Sequence, residues 1–337
     1  MTVKVAINGF GRIGRCVFRA YFENQAKYKD LEIVAINDLA PLETNLYLLK
    51  YDSAHGKFRE NAEISGDSII VNGKTIKIVS EREATALPWK ELGIDVVLEC
   101  TGLFLDRDSA SKHIQAGAKK VMMSGPTKTS DTVKTIVLGV NDNELKSDDD
   151  MISNASCTTN CLAPIAKILN ETLGIVKGHM TTIHSYTNDQ NILDKVHKDL
   201  RRSRAGAVNM IPTSTGAAKA VGLVLPQLKG KLDGVSIRVP TPDVSFVDLS
   251  FLAGKNTTKE EVNDIIKNSV NSPALKGVLA YNTDEIVSVD VLHDSHSSIF
   301  DATQTKVLGD NFVRVGAWYD NEWGYSNRML DLATIWK

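Results

Sequence analysis

The first forty residues switch between two hydrophobic periods. Val3-Lys4-Val5-Ala6-Ile7 alternates as a strand does, and Ile13, Val17, Phe18 and Tyr21 then recur at helical spacing. The run Glu32-Ile33-Val34-Ala35-Ile36-Asn37 predicts a second strand. Two short apolar runs at 68–71 and 74–79 flank Asn72-Gly73, a pair that favours a two-residue hairpin turn, so a hairpin is predicted as an insertion here. Further strands are predicted at 95–100, 120–123 and 151–153, with helices at 109–116 and 162–169. Strands alternating with helices predict an α/β fold, a doubly wound parallel sheet of Rossmann type.

Beyond Cys157 the pattern changes. Long β-rich runs at 176–183, 234–239, 244–252, 286–291 and 312–318 outnumber helices, of which 259–270 opens with the capping box Thr258-x-x-Glu261. The pattern predicts an α+β domain with a mainly antiparallel sheet. The segment 185–209 is polar and basic with little periodicity, and a loop of that length is predicted to be either functional or disordered. A last helix at 322–335 carries Leu330 and Ala333 at spacings suited to docking on the first domain. The expected division is residues 1–155 as a dinucleotide-binding domain, joined by the helix at 321–337, and 156–320 as a catalytic domain.

Chemistry enters at the turn after the first strand. Asn8-Gly9-Phe10-Gly11-Arg12-Ile13-Gly14-Arg15 is a G-x-G-x-x-G between a predicted strand and a predicted helix, the context a dinucleotide fingerprint requires. Gly9 permits the turn, Gly11 lets backbone approach a pyrophosphate, and Gly14 allows close helix–strand packing. Asp38, at the end of the second strand, suits adenosine-ribose hydroxyls and repels a 2′-phosphate. Thr101 and Ser124 follow later strands at the carboxyl edge, where such sheets bind ligands. With Arg12 and Ile13 they complete the predicted cofactor-binding set.

Cys157 lies between the short strand at 151–153 and a helix, inside Ser153-Asn154-Ala155-Ser156-Cys157-Thr158-Thr159-Asn160-Cys161. Unpaired N–H groups and the positive dipole end favour an anion at a helix start, so a lowered thiol pKa is expected. Most cysteines are inert small hydrophobes. This one is followed by His184 at the end of the next predicted strand, a partner that would activate it.

The 337 residues imply about two domains. A net charge of −2 with no basic cluster argues against a nucleic-acid partner. No apolar run is long enough to cross a membrane, and a strand beginning almost at once predicts no leader peptide. Four cysteines without scaffold spacing fit a reducing cytoplasm, and the single C-x₃-C does not make a metal site.

With these motifs the chain resembles the phosphorylating glyceraldehyde-3-phosphate dehydrogenases of bacterial glycolytic type, over essentially its whole length. The resemblance is carried by the glycine loop, Ala155-Ser156-Cys157-Thr158-Thr159-Asn160, His184-Ser185-Tyr186-Thr187-Asn188-Asp189-Gln190, Asp199-Leu200-Arg201-Arg202, Pro212-Thr213-Ser214-Thr215-Gly216-Ala217-Ala218, Arg238-Val239-Pro240-Thr241-Pro242 and Trp318-Tyr319-Asp320-Asn321-Glu322-Trp323-Gly324. It implies NAD as cofactor, glyceraldehyde 3-phosphate and inorganic phosphate as substrates, and a homotetramer with the polar segment from Ser185 at its core. It implies Cys157 as nucleophile and His184 as base. Thr187 and Arg238 would hold the substrate's C3 phosphate. Ser156, Thr158, Thr215 and Gly216, with Arg202 nearby, would hold the attacking phosphate. Asn321 would orient the nicotinamide amide and Arg82 would lie against the adenine. A related erythrose-4-phosphate dehydrogenase lacks the Tyr-Thr-Asn that follows His184-Ser185 here. A Cys–His hydrolase or acyltransferase would need no glycine loop, and a non-enzymatic regulator would need no phosphate ligands. One departure stands out: Lys195-Val196 replaces the Leu-Pro usual in strictly NAD-dependent members, which sets Lys195 against Asp38 in cofactor choice.

Overall fold

A computed structural model describes residues 2–336. The chain divides into two compact units. One comprises the residues to Ile136, Asn143–Ala155 and those from Ser326 on; the other comprises Val137–Asp142 and Ser156–Tyr325.

The first unit is built on a nine-stranded sheet. Its strand order is Lys134–Thr135, Met151–Ser153, Lys120–Met123, Val96–Glu99, Val3–Asn8, Leu31–Asn37, Lys74–Val79, Ser68–Val71 and Ala62–Ser65. The run from Lys134–Thr135 to Lys74–Val79 pairs in parallel, which is the predicted Rossmann-type sheet. The hairpin forms as expected, with both turn residues at positive φ, Asn72 at 51° and Gly73 at 78°. The pattern did not predict its third strand, Ala62–Ser65, or the helix Leu42–Lys50, whose exposed, weakly amphipathic face gives little periodic signal. The strands Val3–Asn8 and Val96–Glu99 are almost wholly buried, because helices cover both faces of a parallel sheet. The final helix, Trp323–Ile335, packs in this unit along its later part: the Tyr28 hydroxyl donates to Asn327 Oδ1 at 3.1 Å, and Lys27 pairs with Asp331 at 2.7 Å.

The second unit holds a seven-stranded sheet ordered Ile211–Ser214, Leu232–Val239, Ile175–Ser185, Ser245–Ala253, Phe312–Tyr319, Ser298–Leu308 and Leu279–Asn282. It is mainly antiparallel, as predicted. Two pairings are parallel: Leu232–Val239 on Ile175–Ser185, and Leu279–Asn282 on Ser298–Leu308. The strand expected at 286–291 is instead a short 3-10 turn, Ser288–Val291, with Val287 and Val289 exposed. The strand that does form, Ser298–Leu308, was hidden by its polar composition: Asp301, Thr303, Gln304 and Thr305 interrupt the apolar alternation. The helices Cys157–Leu173 and Ala217–Val224 pack against each other on this sheet.

The glycine loop shows why sequence and backbone agree. A Cβ on Gly14 would lie 2.1 Å from the Gly9 carbonyl oxygen, so only glycine lets the helix approach the first strand. Gly11 faces open space instead. Gly14→Ala is therefore expected to cost at least about 2–3 kcal/mol by overpacking, seen as a lowered thermal midpoint, while Gly11→Ala leaves the midpoint within about a degree. Equal midpoints for the two variants would contradict this account.

Candidate active site

In the first unit Asn8, Gly9, Asp38, Arg82 and Thr101 line one cavity of about 260 Å³, closed by Leu39, Ala84, Leu87, Leu103 and Phe104. Asp38 ties the second strand to the glycine loop: Oδ2 accepts the Phe10 N–H at 2.7 Å and Oδ1 the Ala40 N–H at 2.9 Å. The wall combines an apolar slot, an acidic group and Gly9 of the glycine loop; Gly11, two residues on, is not part of the wall, and its Cβ position is empty. An adenosine and a pyrophosphate fit that set. Ile13 and Gly14 lie in the helix Arg12–Glu23 and not on this cavity's wall. Arg12 makes a forked pair with Asp52, at 2.5 and 3.2 Å. Burial works to raise the Asp52 carboxyl, but Arg12 and the His55 and Ala54 N–H groups hold it well below the carboxylate range. Ser124 follows the strand Lys120–Met123 and donates its N–H to the Glu99 carbonyl at 2.9 Å.

In the second unit Cys157 is the first residue of the helix Cys157–Leu173. Ala155, at φ 55°, turns the chain in a left-handed conformation uncommon for a residue with a Cβ, and Ser156 caps the helix by accepting the Thr159 N–H at 3.1 Å. The sulfur lies 3.5 Å from His184 Nε2. His184 sits near the end of the strand Ile175–Ser185, directly opposite Arg238 in the parallel register. Arg238 Nη1 is 2.6 Å from His184 Nδ1 and 2.8 Å from the Ser185 carbonyl, which is itself 2.8 Å from Nδ1. One imidazole nitrogen therefore faces a cationic donor and a carbonyl acceptor together.

These contacts govern ionisation. Burial, then the Arg238 charge, lowers His184 to about 3. The Cys157 thiol was expected to be lowered by the helix terminus. Burial raises it, and the Arg238 charge, the Thr158 hydroxyl and nearby backbone N–H groups pull against that rise. The resting pair is thus a thiol beside a neutral imidazole. Burial also raises two other thiols, Cys161 up to about 12 and Cys100, beside Glu99, higher still.

The other anticipated ligands are distributed as follows. The Thr158 hydroxyl is buried 2.9 Å from the Tyr319 hydroxyl, which also meets Thr182 at 2.9 Å. Tyr319 stands edge-on to His184 and walls the site; its place beside Asn321 in the sequence was the available signal, and composition alone gave none. Asn321 Oδ1 accepts from Ser185 at 2.9 Å and Ser245 at 2.7 Å, so its orientation is fixed with Nδ2 left to donate. Arg202 is held by Asp189, by Thr213 Oγ1 at 3.0 Å and by the Ser214 carbonyl at 3.3 Å, yet its charge still reaches His184. Thr187 is half-buried just past the His184 strand. Gly216 caps the helix Ala217–Val224, with Thr215 Oγ1 accepting the Ala217 N–H at 3.2 Å.

A Rossmann-type unit and a separate β-rich unit carrying a Cys–His pair define an NAD-linked oxidoreductase. Family models for the glyceraldehyde 3-phosphate dehydrogenase NAD binding domain and C-terminal domain match residues 3–107 and 156–321. The chain is 58% identical over 333 residues to the plasmid-borne glyceraldehyde-3-phosphate dehydrogenase of Cupriavidus necator, covering 99% of this chain and 98% of the relative. It is 56% identical to that of Xanthobacter flavus and 53% to that of Zymomonas mobilis, with the same coverage. The chain belongs to the glyceraldehyde-3-phosphate dehydrogenase family.

Two outcomes follow from this geometry. Iodoacetamide should label Cys157 before Cys16, Cys100 or Cys161 at neutral pH, and peptide mapping that finds Cys161 first would overturn the assignment. His184 is neutral when folded down to about pH 3, whereas an unfolded histidine protonates near 6.5. Its contribution to stability is therefore present above about pH 6.5 and lost as pH falls towards 3, by roughly 4–5 kcal/mol if the whole shift is realised. Denaturant unfolding of His184→Asn should lose less stability than the native chain over that interval; parallel profiles would contradict it.

Proposed function

We propose that the chain oxidises D-glyceraldehyde 3-phosphate with NAD and inorganic phosphate to 1,3-bisphosphoglycerate, through a thioester on Cys157. The single observation that carries this is the Cys157–His184–Arg238 constellation, with Sγ 3.5 Å from Nε2 and a guanidinium at Nδ1.

In the unliganded state Arg238 donates to Nδ1, so the ring's one proton sits on Nε2, facing the sulfur. The substrate's C3 phosphate, bound by Arg238 and Thr187, draws the guanidinium away. Nδ1 then carries the proton and donates to the Ser185 carbonyl, and Nε2 gains the lone pair a base needs. His184 takes the Cys157 proton as Sγ attacks the aldehyde carbon, and the proton passes to the aldehyde oxygen to give a hemithioacetal. His184 then removes the hemithioacetal hydroxyl proton as the carbon's hydride leaves. NAD, when bound, supplies the hydride acceptor. A phosphate oxygen attacks the resulting thioester and the carbon–sulfur bond breaks; the departing Cys157 thiolate takes back the proton held by His184, the phosphate's own proton passes to solvent, and the acyl phosphate is the product.

Gly9, Gly11, Arg12, Ile13, Gly14, Asp38, Arg82, Thr101 and Ser124 are assigned to the cofactor, and Asn321 Nδ2 to the nicotinamide amide. Ser156, Thr158, Thr215 and Gly216, at the N-termini of two helices that pack against each other, are assigned to the attacking phosphate. Arg202 is assigned a place beside them, and its bond to Asp189 would have to loosen for a direct contact. Residues 1–155 together with 321–337, which include the helix Trp323–Ile335, serve the cofactor, and 156–320 the chemistry. A cytoplasmic glycolytic role is supported by four free cysteines and by the absence, among the described residues, of a helix long and apolar enough to cross a membrane. A homotetramer is supported by exposed Ile192, Leu193, Val196, Leu200, Val208 and Met210 in the segment after His184, an apolar set suited to burial against other copies.

The test is absorbance at the reduced-nicotinamide band. Turnover should require both the aldehyde and phosphate. Arg238→Leu should lower efficiency on the phosphorylated aldehyde by about 10–150-fold, the worth of a charge-assisted contact, and should not lower turnover of glyceraldehyde, which has no phosphate to draw the guanidinium off Nδ1. Equal losses on the two aldehydes would place Arg238 in a purely structural role.

A further inference from the structure

Below the cofactor cavity lies a buried polar chain with no part in the chemistry above. Glu99 ends the strand Val96–Glu99 and is wholly buried, as is His113 in the helix Arg107–Gln115. Four donors converge on the Glu99 carboxylate. Oε2 accepts from Asn8 Nδ2 at 2.6 Å and lies 3.0 Å from His113 Nε2; Oε1 accepts the Thr101 N–H at 2.8 Å and the Thr101 hydroxyl. Behind His113, the indole N–H of buried Trp89 lies 3.1 Å from Nδ1. An indole nitrogen only donates, so Nδ1 must accept and Nε2 must carry the ring proton towards Glu99. The chain extends to the other side of the cavity. Asn8 Oδ1 accepts from Asn37 Nδ2 at 2.7 Å, and Asn37 bonds both the carbonyl and the N–H of Glu81, at 2.9 Å each.

Asn8, Asn37, Glu81 and Thr101 all line the cavity. Thr101 also backs the glycine loop: a Cβ on Gly9 would meet the Thr101 nitrogen at 2.8 Å and its methyl at 2.7 Å. One carboxylate therefore sets the ends of two central strands and, through Asn8 and Asn37, a third strand and the Glu81–Arg82 turn.

We propose that Glu99 is a positioning residue for the dinucleotide pocket, oriented by a Trp89–His113 relay that fixes the imidazole tautomer and so requires an acceptor-only group at position 99. The inference rests on reading the cavity as the cofactor site. It explains why an acid sits where burial disfavours one: an amide cannot replace it, because its NH₂ would face either the His113 and Asn8 donors or the Thr101 N–H.

The experiment measures NAD affinity by titration calorimetry on the full chain, with steady-state rates alongside. E99Q should weaken NAD at least tenfold while kcat at saturating NAD stays within about twofold. W89F alone should change NAD affinity less than threefold. It frees His113 to take the other tautomer, whose Nε2 can accept from the new amide, so W89F/E99Q should bind NAD at least threefold more tightly than E99Q. A role in bulk packing predicts the opposite, with the double variant the weakest. Should E99Q not fold, H113Q and H113L carry the same test. Glutamine can accept from Trp89 and donate to the carboxylate, so it should keep affinity within threefold, whereas leucine should lose at least tenfold. E99Q affinity within twofold of native, no rescue in the double variant, or equal behaviour of H113Q and H113L overturns the proposal. A native chain that binds no NAD would instead overturn the reading of the cavity itself, and this inference with it.

Discussion

The site depends on one crowded nitrogen. His184 Nδ1 has the Arg238 guanidinium 2.6 Å away and the Ser185 carbonyl 2.8 Å away, with the Cys157 sulfur on the far side of the ring. A buried imidazole with a guanidinium at one nitrogen stays neutral, and a buried thiol beside a neutral imidazole stays protonated. The resting site is thus held short of its reactive state. The parallel register that pairs His184 with Arg238 makes this arrangement a property of the sheet and not of a mobile loop.

That constraint gives meaning to the surrounding packing. Tyr319 joins the helix that carries Cys157 to the strand that carries His184, through Thr158 and Thr182, and so sets the sulfur–nitrogen distance. The same burial that dries the site raises both the thiol and the Tyr319 hydroxyl, so neither ionises without help. A mobile charge is the available help, and under the proposed function a phosphorylated substrate would bring one that competes directly for Arg238. On that proposal, substrate recognition and activation of the base share a residue.

The sequence carried the framework well where local and tertiary demands coincide. The glycine loop, the Asn72-Gly73 hairpin and the parallel strands of the first unit are legible because period, turn chemistry and burial point the same way. The mainly antiparallel second sheet was legible as a class but not strand by strand. Val287, Val289 and Val291 advertise a strand yet form a turn, while the polar-interrupted segment Ser298–Leu308 forms a strand between Phe312–Tyr319 and Leu279–Asn282. Cys157 stood out by its place at a helix start, but the sign of its thiol shift did not, because burial is a tertiary quantity. His184 could not be distinguished from the chain's other histidines by pattern, and family motifs supplied it. Glu99, His113 and Trp89 carry no motif at all; their relation exists only once three separate elements are folded together.

The central claim is that Cys157 carries the oxidised substrate as a thioester that phosphate discharges. The most direct measurement is a rapid-mixing experiment with NAD and D-glyceraldehyde 3-phosphate in the absence of phosphate, followed by mass analysis of the quenched protein. The account predicts a burst of reduced nicotinamide approaching one per chain, an acyl adduct on the Cys157 peptide, and prompt loss of that adduct when phosphate is added. A burst with no adduct on Cys157, or an adduct that phosphate does not discharge, would contradict it.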